Sequence, residues 1–256
     1  MTILHKRVAL VTGAGKRIGR AIALDLAAQG WTVGVHYFRS KPEADAVVET
    51  IRRNSGTAAA FQANLGREES ANDLVATVAA TLGPLTCLIN NASLFERDEA
   101  LTATRDSWDR HMETNLRAPF LLIQDFARQL PAGQSGCVIN ILDQRVWNLT
   151  PHFLSYTLSK AGLWTLTQTL AMALAPRIRV NAIGPGPTLR NAHQTEDHFS
   201  AQWASVPLER GTTPEEICTA VRFILDAPAL TGQMLALDGG EHLAWAQSSR
   251  GFVPEE

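Results

Sequence analysis

Short apolar runs alternate along the chain with longer stretches in which apolar residues recur at a helical spacing. The first run, Val8–Val11, contains no polar residue and is followed by glycines. Such a run is typical of a strand that is buried on both faces. An alanine-rich segment with Ile22, Leu24 and Leu26 comes next and extends to Gly30. We interpret this segment as a helix that ends near that glycine.

The same alternation continues to the end of the chain. Further strands are predicted at residues 31–37, 57–62, 86–90, 137–142, 179–183 and 233–237. Further helices are predicted at residues 41–54, 67–82, 105–129, 152–175 and 214–225. Regular alternation of this kind predicts an α/β fold, a single-domain doubly wound parallel sheet of about seven strands with helices on both faces.

Ligands of such sheets bind beyond the carboxyl ends of the strands, where the strand order reverses. Residues that follow predicted strands should therefore converge on one edge, namely Gly13, Ser40, Asn91, Asp143 and Pro185. Residues 184–206 lose the helical period and carry two prolines and two histidines. A connection of that length predicts a lid over the site, although a surface loop without a role would show the same pattern.

A turn that contains Gly13, Gly15 and Gly19 joins the first strand to the first helix. Glycines permit a tight turn and let backbone N–H groups approach a phosphate, and the helix N-terminus favours negative charge. The turn alone could be a plain strand-to-helix connection. Its place after the first strand and before the first helix favours dinucleotide binding.

Length, charge, cysteine positions and the length of apolar runs limit the classes of function that the protein can have. The 256 residues fit one large α/β domain, and the net charge of −2 with interspersed signs gives no nucleic-acid surface. Cys87, Cys137 and Cys218 are widely spaced in apolar surroundings, which favours a reduced, cytoplasmic compartment. No run has the length of a membrane span and the N-terminus lacks a signal-peptide core, so we expect no membrane association. No metal site is predicted.

Tyr156 and Lys160 lie four residues apart in a predicted helix and therefore share one face. A free phenol has a pKa near 10 and is a poor acid–base group at neutral pH. A neighbouring ammonium favours the phenolate and brings that pKa toward the working range. The spacing alone is a common accident, but this pair follows the fifth strand at the predicted ligand edge.

Motifs along essentially the whole chain resemble the short-chain dehydrogenase/reductase family: Thr12-Gly13…Gly19, Asn90-Asn91-Ala92, Asn115, Tyr156-x-x-x-Lys160, Pro185-Gly186 and Thr231…Leu237-Asp238-Gly239-Gly240. The resemblance implies a Rossmann-like fold, hydride transfer with NAD(P) and, as in most members, a homotetramer. It implies that Tyr156 is the proton donor, and that Lys160 holds the nicotinamide ribose and tunes Tyr156. Asn115 would support the helix and a proton-relay water.

The family's cofactor contacts fall on residues of the same edge. Thr188 would contact the nicotinamide amide, and Asn64 stands where the family commonly has an aspartate for the adenine amino group. The cofactor-binding residues that the resemblance implies are Gly13, Arg17, Ile18, Gly19, His36, Tyr37, Arg39, Ser40, Asn64, Leu65, Asn91, Ala92, Ser93, Tyr156, Lys160, Pro185, Gly186 and Thr188.

Two departures from the family pattern bear on the substrate. Arg17 stands where the middle glycine of the turn belongs, and Asp143 stands where the catalytic serine is usual. A carboxylate repels a carbonyl oxygen unless it is protonated or bonded to N–H groups, so Asp143 favours a ring that presents N–H donors. Alternatively, Asp143 is a solvated loop residue and the enzyme a degenerate member of the family.

Both departures resemble the pteridine reductase branch, which includes bacterial dihydromonapterin reductases. By that resemblance Phe95 would stack on a pterin, Arg17 would bridge the pterin and a cofactor phosphate, and Ser93 would hydrogen-bond near them. The implied substrate-binding residues are Arg17, Ser93, Phe95, Asp143 and Tyr156. The implied catalytic residues are Asp143, Tyr156, Lys160 and Asn115.

The end of the second strand indicates the cofactor. A site for NAD normally offers an acid there for the ribose 2′-hydroxyl. This chain offers His36, Arg39, Ser40 and Lys41 instead, which suit a 2′-phosphate through charge-assisted bonds. The predicted cofactor is therefore NADP.

Together these features predict an NADPH-dependent oxidoreductase that reduces a dihydropterin, such as dihydromonapterin, dihydrobiopterin or dihydrofolate. The first alternative is a carbonyl reductase of the same family, acting on a 3-oxoacyl thioester or a sugar ketone, against which Asp143 and Arg17 speak. The second is a non-catalytic NADPH-binding protein, which the retained Asn115, Tyr156 and Lys160 disfavour.

Overall fold

The computed structural model describes residues 7–190 and 194–243 of the chain. Within them, seven parallel strands form one sheet: β1 (Val8–Val11), β2 (Thr32–Tyr37), β3 (Ala58–Gln62), β4 (Cys87–Asn90), β5 (Gly136–Ile141), β6 (Ile178–Pro185) and β7 (Met234–Leu237). The helices are α1 (Arg17–Ala28), α2 (Lys41–Arg53), α3 (Glu68–Leu82), α4 (Arg105–Met112), α5 (Ala118–Gln129), α6 (Leu154–Ala173), α7 (Glu196–Ala204) and α8 (Pro214–Asp226). The predicted single-domain, doubly wound α/β fold is confirmed.

The strands run in the order β3-β2-β1-β4-β5-β6-β7. The order reverses between β1 and β4, so the connections leave these two neighbouring strands in opposite directions along the sheet. A crevice opens at such a point beyond the carboxyl ends of the strands. The sequence pattern predicted a ligand site at this edge of the sheet but did not predict the strand order.

Side chains of β1 alternate between two apolar layers, as the period of a strand requires. Ala9 and Val11 pack in the layer that also contains residues of α1, α2 and α8. Val8 and Leu10 pack in the opposite layer, with residues of α3 and α5. Because both faces of β1 are covered, its sequence is an uninterrupted apolar run.

Two polar side chains pair in the middle of the sheet. Asn90 and Asn140 pair in register on β4 and β5, and the amide nitrogen of Asn90 donates to the Asn140 side-chain oxygen at 2.8 Å. The Asn140 amide nitrogen donates in turn to the Thr167 hydroxyl on α6 at 2.9 Å. This buried series of hydrogen bonds connects two strands of the sheet to the helix that carries Tyr156 and Lys160.

The predicted helix at residues 105–129 contains a π turn at Glu113–Arg117 between α4 and α5. Pro119 has no N–H group to donate to the carbonyl of residue 115, and its ring crowds that carbonyl. The helix accommodates this loss by widening one turn, as π turns at functional sites commonly do. Asn115 lies in the middle of the widened turn.

Residues 184–206 are not the structureless connection that the sequence predicted. Strand β6 extends through Pro185, and α7 occupies 196–204. Thr195 caps α7, since its side-chain oxygen accepts the backbone N–H of His198 at 3.2 Å. Residues 191–193 of the predicted lid, including His193, lie outside the described residues.

Two observations concern the predicted reducing compartment and the expected lack of membrane association. Cys87, Cys137 and Cys218 are buried free thiols. None of the helices in the described residues is long and apolar enough to cross a membrane.

We predict that Asn140→Ala lowers the free energy of unfolding by about 1–3 kcal/mol, because the buried Asn90 amide and Thr167 hydroxyl each lose a partner. Urea unfolding measures the change. Asn72→Ala on the exposed face of α3 is the control, and it should change stability by less than about 0.5 kcal/mol. Equal effects of the two substitutions would contradict a structural role for the hydrogen bonds of Asn140.

Candidate active site

A cleft of about 930 Å³ lies at the carboxyl ends of the strands, and most of the predicted site residues line it. Those that do so are Gly13, Arg17, Ile18, Gly19, His36, Arg39, Asn64, Leu65, Asn91, Ala92, Ser93, Phe95, Asp143, Tyr156, Lys160, Pro185, Gly186 and Thr188. Tyr37, Ser40 and Asn115 are not part of its lining. Strand ends that are far apart in sequence thus supply one continuous site.

The hydroxyl of Thr12 joins the two strands at the reversal point. Its oxygen accepts the backbone N–H groups of Asn91 and Ala92, each at 2.9 Å. The side-chain amide of Asn91 donates back to the Thr12 carbonyl at 2.9 Å. These bonds hold the glycine turn that follows β1 against the loop that follows β4.

The glycine turn leaves a helix N-terminus open toward the cleft. Gly13 has a φ of 63°, and a Cβ on Gly19 would lie 2.4 Å from the Gly13 carbonyl oxygen, so both positions require glycine. Helix α1 has no side-chain N-cap and no acidic residue in its first turn. Its first N–H groups therefore suit a pyrophosphate, and the turn fits a dinucleotide.

Arg17 reaches across the cleft. Its two terminal nitrogens donate to the carbonyl oxygens of Leu189 and Arg190, at 2.8 and 2.7 Å. The sequence predicted contacts with a phosphate and a pterin instead. In this structure the guanidinium bonds to the segment that follows β6, so Arg17 connects the glycine turn to the predicted lid.

His36 does not present a charge to the cleft, which differs from the prediction. The ring is buried, and Nδ1 accepts the backbone N–H of Gly13 at 3.0 Å. Nε2 then carries the proton and donates to the carbonyl of Ala63 at 3.2 Å. Burial lowers the pKa of His36 to about 4. A neutral His36 thus holds the glycine turn in place and has no ring nitrogen left for a phosphate.

Arg39 is the cation that β2 presents to the cleft. Its guanidinium lies over the Phe38 ring, 4.8 Å from the centroid, and both residues line the site. Lys41 instead pairs with Asp45 at 2.6 Å. Of the four residues predicted to suit a 2′-phosphate, Arg39 is the one whose charge faces the cleft.

The remaining predicted cofactor residues differ in how they reach the site. Tyr37 is buried within β2. The hydroxyl of Ser40 lies against Gly15, where a Cβ would approach it to 3.1 Å. Asn64 lines the cleft, and its side-chain oxygen accepts the Gly66 N–H at 3.1 Å. Thr188 is nearly buried, and its hydroxyl donates to the Gly186 carbonyl at 2.9 Å.

Tyr156 and Asp143 are directly hydrogen-bonded. The phenol of Tyr156 donates to Oδ2 of Asp143 at 2.9 Å, and Oδ1 accepts the backbone N–H of Arg145 at 2.8 Å. Asp143 thereby caps the short 3₁₀ helix Gln144–Val146. Two donors on one carboxylate fix its orientation.

Lys160 lies one turn beyond Tyr156 on the same face of α6. Its ammonium donates to the carbonyl of Ile141 at 2.8 Å and lies 5.8 Å from the centroid of the Tyr156 ring. Burial lowers the pKa of Lys160 to about 8, although the Asp143 charge opposes the shift. Lys160 can therefore exchange a proton near neutral pH and stabilise a phenolate on Tyr156.

Phe95 and Tyr156 pack against each other in the part of the cleft that also contains Asp143, which we call the slot. Phe95 stacks on Phe153 with ring centroids 4.5 Å apart and meets Tyr156 edge-on at 4.7 Å. The guanidinium of Arg145 lies 5.1 Å from the Phe153 centroid. Sequence reasoning missed Phe153 and Arg145, although each lies within three residues of Tyr156 or Asp143.

Asn115 lies behind the slot and holds its walls together. Its side-chain oxygen accepts the Leu94 N–H at 2.8 Å and the Ser93 hydroxyl at 3.2 Å. Its nitrogen donates to the Leu94 carbonyl at 2.9 Å and to the Ser159 hydroxyl at 3.1 Å. The π turn thus joins the loop after β4 to α6. In the described residues no group of three His, Cys, Asp or Glu side chains could hold a metal ion.

Residues 13–242 match the family model described as enoyl-(acyl carrier protein) reductase, a short-chain dehydrogenase model. The chain belongs to the short-chain dehydrogenase/reductase family. A 3-oxoacyl-[acyl-carrier-protein] reductase of Synechocystis is 35% identical, with 94% of this chain and 98% of the relative aligned. The predicted family, with its oxidoreductase activity, is confirmed.

Solved structures extend this short-chain dehydrogenase/reductase assignment. FolM alternative dihydrofolate reductase 1 from Brucella canis, complexed with NADP, is 45% identical with a TM-score of 0.90, covering 95% of this chain and 97% of that one. The promiscuous reductase LugOII, which catalyses keto-reduction at C1 during lugdunomycin biosynthesis, is 31% identical with a TM-score of 0.86, covering 93% and 98%.

We predict that His36 makes the protein less stable in mild acid. Unfolded His36 binds a proton below about pH 6.5, whereas the folded ring resists protonation down to about pH 4. The free energy of unfolding should therefore fall as pH decreases through this window, by up to about 3 kcal/mol.

The matched variant is His36→Gln, whose amide can accept from Gly13 and donate to Ala63 without titrating. Urea unfolding between pH 7 and pH 4.5 should show a flatter pH dependence for this variant than for the wild type. Parallel pH profiles would mean that His36 is not the group responsible.

Proposed function

We propose that the protein catalyses the NADPH-dependent reduction of a pteridine ring, from a dihydropterin to a tetrahydropterin. The observation that carries the proposal is the hydrogen bond between Asp143 and Tyr156, beside the aromatic face of Phe95. An acceptor, a proton donor and a stacking surface together suit a flat heterocycle with N–H groups. The likeness to FolM of Brucella canis supports the same substrate class.

NADP is the cofactor, in agreement with the NADP-bound structural neighbours. The residues present fit it, since the uncapped start of α1 suits a pyrophosphate and Arg39 suits a 2′-phosphate. No acid follows β2 to select a free ribose hydroxyl. Bound in the reduced form, the cofactor supplies a hydride to a carbon of the substrate's C=N bond.

The protein's own groups supply the proton and the orientation. Asp143 accepts N–H bonds from the ring and, through its bond to the phenol, fixes the position of the Tyr156 oxygen beside the ring. Tyr156 delivers a proton to the ring nitrogen next to the reduced carbon, directly or through a water held by Asp143, Tyr156 and Lys160. Lys160 lies close enough to stabilise the phenolate left behind. Thus hydride and proton together complete the reduction of one C=N bond.

The second candidate is reduction of a ketone, as the names of the Synechocystis relative and LugOII suggest. Tyr156 and Lys160 serve both reactions equally. Asp143 favours a pteridine over a ketone, because its carboxylate would face the lone pairs of a carbonyl oxygen. A non-catalytic NADPH-binding protein would have no need of a buried lysine beside the phenol of Tyr156.

The lid, the cellular compartment and the oligomeric state stay predictions. Helix α7 supports the proposed lid, since Phe199 and Gln202 from this helix line the cleft. Three buried free thiols suit a reducing, cytoplasmic compartment. A homotetramer is expected from the family resemblance.

We predict that the purified protein oxidises NADPH with dihydrobiopterin, dihydromonapterin or dihydrofolate. Its kcat/KM for acetoacetyl thioesters and simple ketones should be at least about 100-fold lower, because they bring a carbonyl oxygen to Asp143. Loss of NADPH absorbance measures both. Turnover of ketones alone would remove the pteridine proposal and leave the family and fold unaffected.

Tyr156→Phe is the control for this experiment. It should lose most turnover, at least about 100-fold, and still bind NADPH, because only the proton donor is removed. Asp143→Ser should weaken pterin turnover and improve ketone turnover. Full pterin activity in Tyr156→Phe would exclude the proton transfer described above.

Cofactor choice gives a separate prediction. Arg39→Ser should lower kcat/KM for NADPH about 10- to 100-fold, which is the loss of one or two charge-assisted bonds, and leave kcat/KM for NADH unchanged. Arg53→Ser on α2, an exposed arginine near Glu49, is the matched control. An equal fall for both cofactors would show that Arg39 does not recognise the 2′-phosphate.

A further inference from the structure

Three buried polar side chains lie behind the slot and are not part of the cleft lining: Asp98, His111 and Ser155. They come from the loop after β4, from α4 and from the start of α6. None carries a role in the reaction described above. Buried polar groups are costly unless they are fully paired, so their arrangement calls for an explanation.

Asp98 caps α6 from a distance of 57 residues. Its Oδ1 accepts the backbone N–H of Ser155 at 3.0 Å, and its backbone carbonyl accepts the N–H of Leu154 at 3.1 Å. The residue at the N-cap position, Phe153, provides no side-chain cap. The Asp98 charge therefore lies at the positive end of the helix that carries Tyr156.

The same carboxylate accepts two hydroxyl groups at Oδ2, from Ser155 at 2.5 Å and from Ser107 at 2.8 Å. Burial alone would raise the pKa of Asp98, but the hydrogen bonds from Ser155 and Ser107 outweigh it and hold the pKa below its usual value. Asp98 is thus an ionised carboxylate whose two oxygens are both engaged.

His111 completes the cluster on the side of the loop. Its Nε2 accepts the backbone N–H of Glu96 at 3.2 Å, so this nitrogen is unprotonated. Nδ1 then carries the proton, 2.9 Å from the Ser107 carbonyl and 2.7 Å from the Ser155 hydroxyl. Burial lowers the pKa of His111, which keeps the ring neutral.

The cluster contains Ser, His and Asp but does not have the arrangement of a nucleophile triad. The serine hydroxyl donates to the carboxylate, and the outer nitrogen of the histidine binds a backbone N–H. The protonated Nδ1 of His111 faces the Ser155 hydroxyl and is therefore not a general base for it, and Ser155 is itself fully buried. A positioning role is consistent with these contacts.

Both walls of the slot are attached to this cluster. Glu96 follows Phe95 directly, and Ser155 precedes Tyr156 directly. The His111 ring also meets the Tyr156 ring at 6.1 Å with an interplanar angle of 70°. One network therefore fixes the main chain next to the stacking ring and next to the proton donor.

We propose that Asp98, His111 and Ser155 are positioning residues that set the placement of the Phe95 ring relative to the Tyr156 hydroxyl, and hence the fit of a flat substrate against these two residues. The inference rests on the proposed function only for the identity of that substrate. The cluster bonds to Glu96, Ser107 and Leu154, and the cofactor half of the cleft around Gly13 and Arg39 should therefore be unaffected by its loss.

The test uses the two tyrosines of the chain, Tyr37 and Tyr156, labelled with ¹³C at Cζ and observed by NMR. Tyr37→Phe assigns the signals. In Asp98→Asn, and to a smaller extent in Ser155→Ala, the Tyr156 signal should shift or split and its titration midpoint should move, whereas the Tyr37 signal stays in place. Asp106→Asn, which removes an exposed acid from α4, is the matched control.

Kinetics with dihydrobiopterin give the second readout. Asp98→Asn should raise KM and lower kcat, so that kcat/KM falls about 10- to 100-fold, and the Kd of NADPH should stay within about twofold of wild type. Ser155→Ala, the milder change, keeps the test available where Asp98→Asn folds poorly.

Two results would overturn the proposal. One is a Tyr156 signal and titration midpoint that both variants leave unchanged. The other is a variant in which the Tyr37 signal and NADPH affinity change as much as the Tyr156 signal, since that would indicate a general structural effect. If the wild type reduces no dihydropterin, the proposed function fails, and the NMR comparison still decides the positioning role.

Discussion

The hydroxyl of Thr12 makes the contact on which the site depends. It binds the first N–H groups beyond β4 at the point where the strand order reverses. The crevice there is a consequence of topology, but topology alone leaves the two loops free to separate. With Thr12 bonded to both Asn91 and Ala92, the glycine turn and the loop that carries Phe95 form one rigid rim.

Charge in the site is arranged around the phenol of Tyr156. On one side Asp143 accepts the hydrogen bond of the phenol. On the other side Lys160 is held in place by its bond to the Ile141 carbonyl. A carboxylate on one side of a phenol and a lysine of lowered pKa on the other can accept and stabilise charge as the phenol gives up its proton. Replacement of a serine by Asp143 thus changes the acceptor pattern offered to the substrate while keeping the proton donor.

Much of the fold and of the site could be predicted because the signals are local. Apolar runs gave the seven strands, and residues after strand ends gave the cleft lining. Contacts between distant segments could not be predicted this way. Nothing near His36 indicates that its nitrogens bind Gly13 and Ala63, and nothing near Asp98 indicates a helix 57 residues away. The widened turn at Asn115 had a local cause in Pro119, which the helical period concealed.

The buried amides of Asn90 and Asn140 also limit how the sheet can assemble. Parallel strands rich in valine and isoleucine have nearly equivalent alternative alignments, because one apolar side chain replaces another with little change in energy. Here a shift of one residue would bring the Asn90 amide opposite Ile139 or Ile141 and leave its donors without acceptors. The amide pair therefore favours one register of β4 and β5. In that register the carboxyl ends of the two strands lie side by side at the cleft.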